Sequence, residues 1–526
     1  MKKQLLLLLG LLVGSFATAA AENHIPTRDQ VGRNAMPAEI APIEAPFYMP
    51  QLKKPHFPDY TVRITPPANR KMATRRIQEA IDRTSERGGG RVVMAAGVWY
   101  SGRIILKSNV ELHTEEGCVV RFSGEIEDYL PAVFTTNEGV EVTSLGACIY
   151  ACQAENIALT GKGVMIGPTS GSIKERQVKF AVEKIDINTP VEERIYDGRD
   201  GGQVFLPTFF GPIECRNVYL EGVRFERGFF WNIAPVYCED LIIRGVQVTS
   251  VGIPRGDGVD ITCCKNVLIE YSTMNCGDDN FAMKGGRNEY GYERNRASEN
   301  IVMRHCLTLS GHGGITIGSE TAGWIRNLYT HDCVFDGTQI GIRFKTRRPR
   351  SGGGENLYYE RIRMRTGKEA ICWDMLGNPA WTGELAARLP IRKWTTLTPA
   401  FRNITIRDIE VEDCREFIKM TAIPESPVRF LSIENAVVKT RDAEAIRQDP
   451  RRQVLMRLQD VDGMSLRNLT VTAPKPMISI LDGRNLLFEE IRFEPSDRQP
   501  DVQITGENSH HIRFADCHPV LEAHNR

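Results

Sequence analysis

Residues 217–225 read NVYLEGVRF, and residues 240–248 read DLIIRGVQV. In both stretches a polar residue is followed by apolar residues one, three, six and eight positions later. Successive side chains of a strand point to opposite faces, so each apolar pair lines one face, and the additional residue between the two pairs predicts a bend. Each stretch is therefore expected to form two short strands that meet at a corner and share one buried face.

This pattern recurs along the chain with an interval of 22 to 47 residues. Short strands repeated at such an interval, without a helical pattern, predict an all-β, right-handed parallel β-helix in which each coil buries its face against the next. A β-propeller is the alternative, but its blades need about 40 residues and regular hairpins. The eleven repeats begin at Asn217, Asp240, Asn266, Asn300, Asn327, Asn356, Asn403, Phe430, Gly463, Asn485 and His511.

The first residue of most repeats is asparagine, which tolerates left-handed backbone conformations better than most residues. An amide at the same position of successive coils can bond to its counterpart in the next coil. The repeats therefore predict a ladder of side-chain amides along one corner of the β-helix.

The chain before these repeats has a different character. Residues 73–82 place Ile77, Ala80 and Ile81 on one helical face, and the glycines at 88–90 end that pattern. We expect a short helix that caps the N-terminal end of the stack, where the strands would otherwise have an unpaired edge. Residues 22–68 are rich in proline and are expected to form an extended N-terminal arm, which leaves 69–526 as the β-helix catalytic domain.

Residues 1–21 have the pattern of a cleavable signal peptide: two lysines, an apolar run and a stretch of small residues. The apolar run is about half as long as a membrane span requires, and no cysteine follows it as a point of lipid attachment. We therefore expect an exported protein, periplasmic or secreted, with no membrane span.

The composition excludes several classes of protein. The 66 basic residues balance 66 acidic ones, so the chain is neither a basic nucleic-acid binder nor a disordered polyelectrolyte. We expect the protein to be a monomer. It contains thirteen cysteines, an odd number, with no CxxC pair. Several of them, including Cys306 and Cys333, occupy an apolar position of the repeat, which predicts buried free thiols rather than a disulfide framework.

Polar residues of an unusual kind lie between the repeats in four successive coils. These stretches are 255–260 (RGDGVD), 277–281 (GDDNF), 311–315 (GHGGI) and 341–345 (GIRFK). Asp278 and His312 both lie 12 residues after the first residue of their repeat, and Asp257 and Arg343 lie 17 and 16 residues after theirs. Similar offsets predict similar angular positions, so these side chains are expected to form a row along the β-helix axis.

The row predicts acid–base chemistry. Asp257, Asp278 and Asp279 in one groove cannot all ionise freely, so burial and repulsion are expected to raise the pKa of at least one of them. An acid beside a base is what hydrolysis of a glycosidic bond requires. Arg343 and Lys345 point the same way from their strand and are suited to bind the carboxylate of an anionic sugar.

These four motifs, in this order and spacing, resemble those of glycoside hydrolase family 28, the polygalacturonases, over residues 74–364. The stretches 104–113 and 311–320 are similar to the bacterial exo-acting branch. The resemblance implies an inverting hydrolase in which Asp278 is the general acid, Asp257 and Asp279 activate water, and His312 supports the acid. Arg343 and Lys345 would bind the galacturonate carboxylate, and neither a metal nor another cofactor is expected.

Two departures from the family pattern concern residues near the sugar. Arg255 and Gly256 stand where the family has Asn-Thr, and residues 371–377 lack the tyrosine that the family carries one coil after Arg-x-Lys. The leading hypothesis is an exo-acting enzyme that releases galacturonic acid from pectic poly- or oligosaccharides. The alternatives are a rhamnogalacturonan-type hydrolase of the same family, a β-helix pectate lyase whose aspartates bind Ca²⁺, and a non-catalytic glycan-binding protein.

Three long segments between coils are predicted to wall off the groove, because insertions in a solenoid commonly lie on its binding face. They are residues 169–202, residues 284–298 and the stretch before Asn403. The basic run Arg347, Arg348 and Arg350 is expected to form a solvated loop.

Overall fold

The computed structural model describes residues 24–441, 454–474, 476–496 and 499–525, so the predicted signal peptide lies outside the described residues. Thirty strands belong to one continuous parallel sheet that winds along the chain. The predicted right-handed parallel β-helix is confirmed. No helix in the described part of the chain is long and apolar enough to cross a bilayer.

Thirty-five strands are described. The first sixteen are β1 (Thr61–Ile64), β2 (Gly90–Met94), β3 (Gly97–Ser101), β4 (Ile104–Ile105), β5 (Val110–Thr114), β6 (Cys118–Phe122), β7 (Val133–Asn137), β8 (Val140–Ser144), β9 (Ala147–Cys152), β10 (Glu155–Gly161), β11 (Val164–Ile166), β12 (Thr208–Ile213), β13 (Arg216–Glu221), β14 (Arg224–Glu226), β15 (Glu239–Arg244) and β16 (Gln247–Thr249). The others are β17 (Val259–Thr262), β18 (Lys265–Glu270), β19 (Thr273–Asn275), β20 (Phe281–Lys284), β21 (Ser298–Arg304), β22 (Leu307–Thr308), β23 (Gly313–Ile317), β24 (Ile325–Asp336), β25 (Ile340–Lys345), β26 (Gly353–Arg365), β27 (Glu369–Asp374), β28 (Ala400–Cys414), β29 (Glu416–Thr421), β30 (Val428–Thr440), β31 (Met456–Thr472), β32 (Met477–Glu494), β33 (Asp501–Thr505), β34 (His510–Ala515) and β35 (Ala523–Asn525).

Helices are few and short. The α-helices are α1 (Thr74–Glu86), α2 (Ser172–Glu175), α3 (Asn288–Arg294) and α4 (Pro379–Thr382). Short 3-10 turns span Arg28–Gln30, Arg33–Ala35, Ala68–Arg70, Ile126–Tyr129, Val182–Lys184, Val191–Glu193, Arg199–Gly201 and Gly383–Ala386.

The strand register follows the sequence repeat. The apolar residue one position after the start of each repeat pairs with its counterpart in the next coil, from Val218 with Leu241 through to Leu486 with Ile512. All eleven first residues have positive φ, and so do the residues five positions later, such as Tyr271 and Asp332. The predicted bend therefore lies at that later residue.

The predicted amide ladder is present. The side chain of Asn300 donates to Asn266 at 3.2 Å, that of Asn327 to Asn300 at 3.0 Å, and that of Asn403 to Asn356 at 3.2 Å. These bonds satisfy side chains at a corner where the sheet hydrogen bonds are interrupted, so they keep successive coils aligned.

The cysteines behave as the sequence predicts. All thirteen are free, and twelve are buried. Cys215, Cys238 and Cys264 lie in three successive coils; the sulfur of Cys238 accepts the backbone N–H of Cys215, and the sulfur of Cys264 accepts that of Cys238, both at 3.4 Å. A small apolar side chain suits these buried positions.

The N-terminal end of the stack is closed by α1. Its residues Ile77, Ala80, Ile81 and Thr84 are buried, which confirms the predicted helix and its inward face. The helix contacts β2, β4 and β5 and so covers the edge that the first coil would otherwise expose.

The arm runs back along the outside of the β-helix. Its Ile43 and Met49 pack on an outward apolar stripe of successive coils that includes Tyr219 and Leu268. A buried cluster of Arg244, Glu270 and Arg304 lies beside this stripe, and the two arginines donate to backbone carbonyls of residues 37–42. The final part of the predicted arm forms β1, which pairs with β2 and belongs to the sheet.

Candidate active site

The predicted site residues lie on or directly before four adjacent strands, β17, β20, β23 and β25. The register places Asp260 opposite Ala282, Ala282 opposite Thr316, and Thr316 opposite Arg343. Since side chains alternate, Lys284 and Lys345 lie on the same outer face as these residues, whereas Phe344 points inward and stacks on Trp373 at 4.3 Å. This outer face is the floor of the candidate site.

The three predicted aspartates meet at one end of this floor. One carboxylate oxygen from each of Asp257, Asp278 and Asp279 lies within 4.8 Å of the other two. Asp257 and Asp279 are buried, whereas Asp278 is partly exposed. His312 Nδ1 lies 2.9 Å from Asp278 Oδ1, and the backbone N–H of Asp279 donates to the same oxygen at 3.0 Å. The predicted row of side chains is therefore present.

Glycines occupy both positions next to His312, because neither position has space for a side chain. Gly311 has φ +141°, and a Cβ there would lie 2.5 Å from the carbonyl oxygen of Asp278. A Cβ on Gly313 would lie 2.9 Å from Asp279 Oδ1. The Gly-His-Gly motif thus allows the coil that carries His312 to approach the aspartates closely.

Arg343 and Lys345 both bind Asp279. Arg343 Nη1 donates to Asp279 Oδ1 at 3.0 Å, and Lys345 Nζ donates to Asp279 Oδ2 at 2.6 Å. Despite its burial, the pKa of Asp279 is lowered far below its usual value, because Lys345 and then Arg343 stabilise the charged form. Asp279 is therefore ionised, and both of its oxygens already have cationic partners.

Asp257 has the opposite environment. Burial raises its pKa well above the ordinary value, and the neighbouring Asp260 raises it further. Burial likewise raises the pKa of Asp260, to about 7. One of the three clustered carboxylates thus has a raised pKa, as the sequence predicts, and it is Asp257.

Sequence reasoning missed a buried charge network behind the aspartates. Lys284 Nζ lies 3.4 Å from Asp260 and 3.3 Å from Glu320, and Arg287 Nη2 donates to Glu320 at 2.9 Å. The alternation of residues along β17 and β20 places Asp260 and Lys284 on the outer face, and this signal could have identified both. Glu320 ends the stretch 311–320, but nothing in the sequence indicated its charged partners, because they lie in another coil.

Two buried asparagines were also missed. The side chain of Asn232 donates to the backbone carbonyl of Asp257 at 2.7 Å, and that of Asn280 donates to the carbonyl of Gly313 at 3.0 Å. Both residues therefore hold the backbone that carries the site residues.

The basic run after β25 does not form the predicted solvated loop. Arg348 and Arg350 are buried; Arg348 Nη2 donates to Glu425 at 2.8 Å, and Arg350 Nη1 donates to Asn288 at 2.9 Å. That prediction is wrong for these two residues, because segments distant in sequence supply their partners, and the carbonyls of Leu385 and Ala387, in the insertion between β27 and β28, also accept from Arg348.

The raised pKa of Asp260 predicts a pH-dependent stability. The group is neutral in the folded protein up to about pH 7 but ionises near pH 4 when unfolded, so its contribution is complete below pH 4 and is lost as the pH rises to about 7. The loss amounts to about 1.4 kcal/mol per pH unit over this range. Relative to the wild type, Asp260→Asn should therefore gain stability from pH 4.5 to 6.5. Urea unfolding at these pH values measures the difference, and parallel pH profiles would contradict the assignment.

Part of the chain matches a known family, and several known proteins are similar to most of it. The model of the glycosyl hydrolases family 28 matches residues 199–382, a range that contains all six predicted site residues. A probable polygalacturonase of Vitis vinifera is 24% identical over 378 residues, which cover 69% of this chain and 70% of the relative. An exo-poly-alpha-D-galacturonosidase of Dickeya chrysanthemi is 22% identical over 65% of this chain and 59% of its own length.

A solved structure is similar over most of the fold. The hyperthermoactive exopolygalacturonase of Thermotoga maritima superposes with a TM-score of 0.67 and 26% identity, over 80% of this chain and 93% of that one. The family match and the polygalacturonase relatives identify a glycoside hydrolase that acts on O-glycosidic bonds. Residues 199–382 of the chain carry the pattern of glycoside hydrolase family 28.

Proposed function

We propose that this protein is an inverting, exo-acting hydrolase that releases galacturonic acid from pectic poly- or oligosaccharides. The observation that carries the proposal is the pairing of Arg343 and Lys345 with an ionised aspartate inside a three-carboxylate cluster. Such cations hold an acidic sugar by its carboxylate beside the groups that cleave its glycosidic bond.

The environments of the aspartates support distinct roles. Asp278 is the most exposed of the three and contacts His312, so it is suited to protonate the leaving oxygen of a bound sugar. Both carboxylate oxygens of Asp279 accept hydrogen bonds from cations. This carboxylate is therefore a poor nucleophile but is suited to orient a water molecule. Asp257 is placed to accept a proton from that water once it is ionised, and its raised pKa makes the ionised form a stronger base than an ordinary carboxylate. Attack by water rather than by a carboxylate gives inversion at the anomeric carbon.

Exo action is supported by a wall beside the cluster. Arg287 connects Glu138 on the β7–β8 hairpin, Glu183 in the 169–202 segment and Glu320 after β23. Segments from three distant parts of the chain thus meet at one buried guanidinium. A groove bounded in this way favours binding of a chain end over binding along a polymer, and two of the relatives carry exo-acting names.

The export predicted from residues 1–21 agrees with a polymeric substrate that is found outside the cell. We propose that the protein acts in the periplasm or as a secreted enzyme, without a cofactor.

The direct test is incubation of the protein with oligogalacturonides and with rhamnogalacturonan fragments. From oligogalacturonides we expect galacturonic acid and the chain shortened by one unit as the first products, and proton NMR should show that the acid is first released in the inverted anomeric form. Early oligomers of intermediate length without a matching amount of monomer would contradict exo action, and release from rhamnogalacturonan alone would favour the other hydrolase of the family. Binding without any release would identify a non-catalytic glycan-binding protein.

A calcium-dependent lyase is disfavoured by the same cation pair. Asp279, a required ligand of any Ca²⁺ held by the three aspartates, already lies within 3.0 Å of both Arg343 and Lys345. A divalent cation would be repelled by these two positive charges. Unsaturated products that absorb in the ultraviolet, lost on addition of a chelator, would reverse this conclusion.

A further inference from the structure

The insertion between β27 and β28, residues 375–399, is fixed beside the end of β25. Arg348 Nη1 donates to the carbonyls of Leu385 and Ala387 at 2.8 and 2.9 Å, and Ser351 Oγ donates to the carbonyl of Thr396 at 2.6 Å. On its far side, Arg388 of the insertion binds Asp460. The insertion is therefore held at several points and keeps a defined position relative to the loop that follows Lys345.

One aromatic side chain of the insertion lies next to that loop. The guanidinium of Arg347 stacks on the ring of Trp381, and the distance from Arg347 Cζ to the ring centroid is 5.1 Å. Trp381 is nevertheless 71% exposed, so most of the indole surface that Arg347 does not cover faces solvent. Arg347 follows Lys345 by two residues of extended chain, so their Cα atoms are separated by at most about 7 Å.

Arg347 differs from the arginines around it. Arg348 and Arg350 both have carboxylate partners, whereas within the described ranges of the chain no carboxylate lies in salt-bridge distance of Arg347. Arg347 is half-buried, and this burial lowers its pKa. Glu320, Glu183 and Glu138 are close enough to favour the charged guanidinium, but none of them lies within salt-bridge distance of it, so an anionic ligand at this position would give this partly desolvated cation a direct partner.

We infer that Arg347 and Trp381 form a second sugar-binding subsite, specific for a uronic acid unit adjacent to the one held by Arg343 and Lys345. The Arg347 fork would bind the carboxylate of that unit, and the free surface of the Trp381 ring would contact the apolar face of its pyranose. This inference rests on the proposed function, since it requires a substrate with neighbouring uronates. It assigns to the insertion a role in recognising the second unit of the chain.

Calorimetric binding of galacturonate and digalacturonate tests the subsite. The protein used is Asp278→Asn, which we expect to bind substrate without cleaving it. Adding Arg347→Gln or Trp381→Ala should weaken digalacturonate binding about tenfold, the size of a charge-assisted hydrogen bond or an aromatic contact, and leave galacturonate binding unchanged. Trp394→Ala is the matched control and should change neither affinity, because Trp394 belongs to the same insertion and is also largely exposed, at 59%.

Equal weakening of both ligands, no weakening of either, or the same effect from Trp394→Ala would overturn the subsite. These outcomes differ from a failure of the proposed function. In that case the wild type would release no galacturonic acid, whatever the binding ratio. Absence of binding of both ligands would contradict the substrate class and the subsite together.

Discussion

Replacement of Asp278 by asparagine should lower kcat about a thousandfold without loss of stability. The amide cannot give a proton to the leaving oxygen, so the bond-breaking step loses its acid. Because Asp278 is partly exposed and the side chain that contacts it is the imidazole of His312, the substitution leaves no buried charge unpaired. Initial rates of galacturonic acid release and thermal unfolding of the same preparation measure the two effects.

Asp240→Asn is the matched control for this substitution. Asp240 occupies the corner position where most other repeats carry asparagine, and it accepts a hydrogen bond from the Asn266 side chain. An amide fits that ladder, so Asp240→Asn should retain wild-type turnover. Substantial activity in Asp278→Asn would show that another group is the acid.

Replacement of Asp279 by asparagine should abolish turnover and also destabilise the fold. The change removes the negative charge between Arg343 and Lys345, which leaves two partly buried cations facing each other. Breaking such a pair from one side costs about 3 kcal/mol of unfolding free energy. Chemical denaturation at neutral pH should therefore separate Asp279→Asn from Asp278→Asn, although the substitutions are chemically identical and adjacent in sequence.

Two outcomes would contradict this assignment. Wild-type stability of Asp279→Asn would mean that the two cations do not depend on this carboxylate. Wild-type turnover would mean that Asp279 does not orient the water. Asp278→Asn, prepared in parallel, shows how much of any change belongs to the loss of a catalytic carboxylate alone.

Much of the fold could be predicted because the relevant signal is local. Whether a residue in a coil is buried depends on its position in a pattern that is only about ten residues long. Val218, Leu241 and their counterparts follow this pattern and therefore reveal the strands, the bend and the register. The capping helix is visible for the same reason. The row of site residues follows from this register, since equal offsets in a stack of coils mean equal positions around the axis.

The residues that could not be predicted from the sequence owe their burial and their partners to contacts between segments far apart in the chain. Arg287 and Glu138 are 149 residues apart in sequence, and Lys284 and Glu320 are 36 apart. The burial of Arg348 depends on an insertion that follows it by more than thirty residues. No periodicity relates such pairs, so sequence reasoning had no basis for predicting the network or for recognising the basic run as buried.

The sequence by itself therefore determined the number and register of the coils and which carboxylates share the groove. Only the tertiary structure decided the charge of each carboxylate. Asp278 and Asp279 are neighbours in the chain, yet two cations from a coil more than sixty residues later bind only Asp279. Asp257 instead lies buried beside Asp260. Ionisation depends on the charges and the solvent within a few ångströms, and folding alone brings those together.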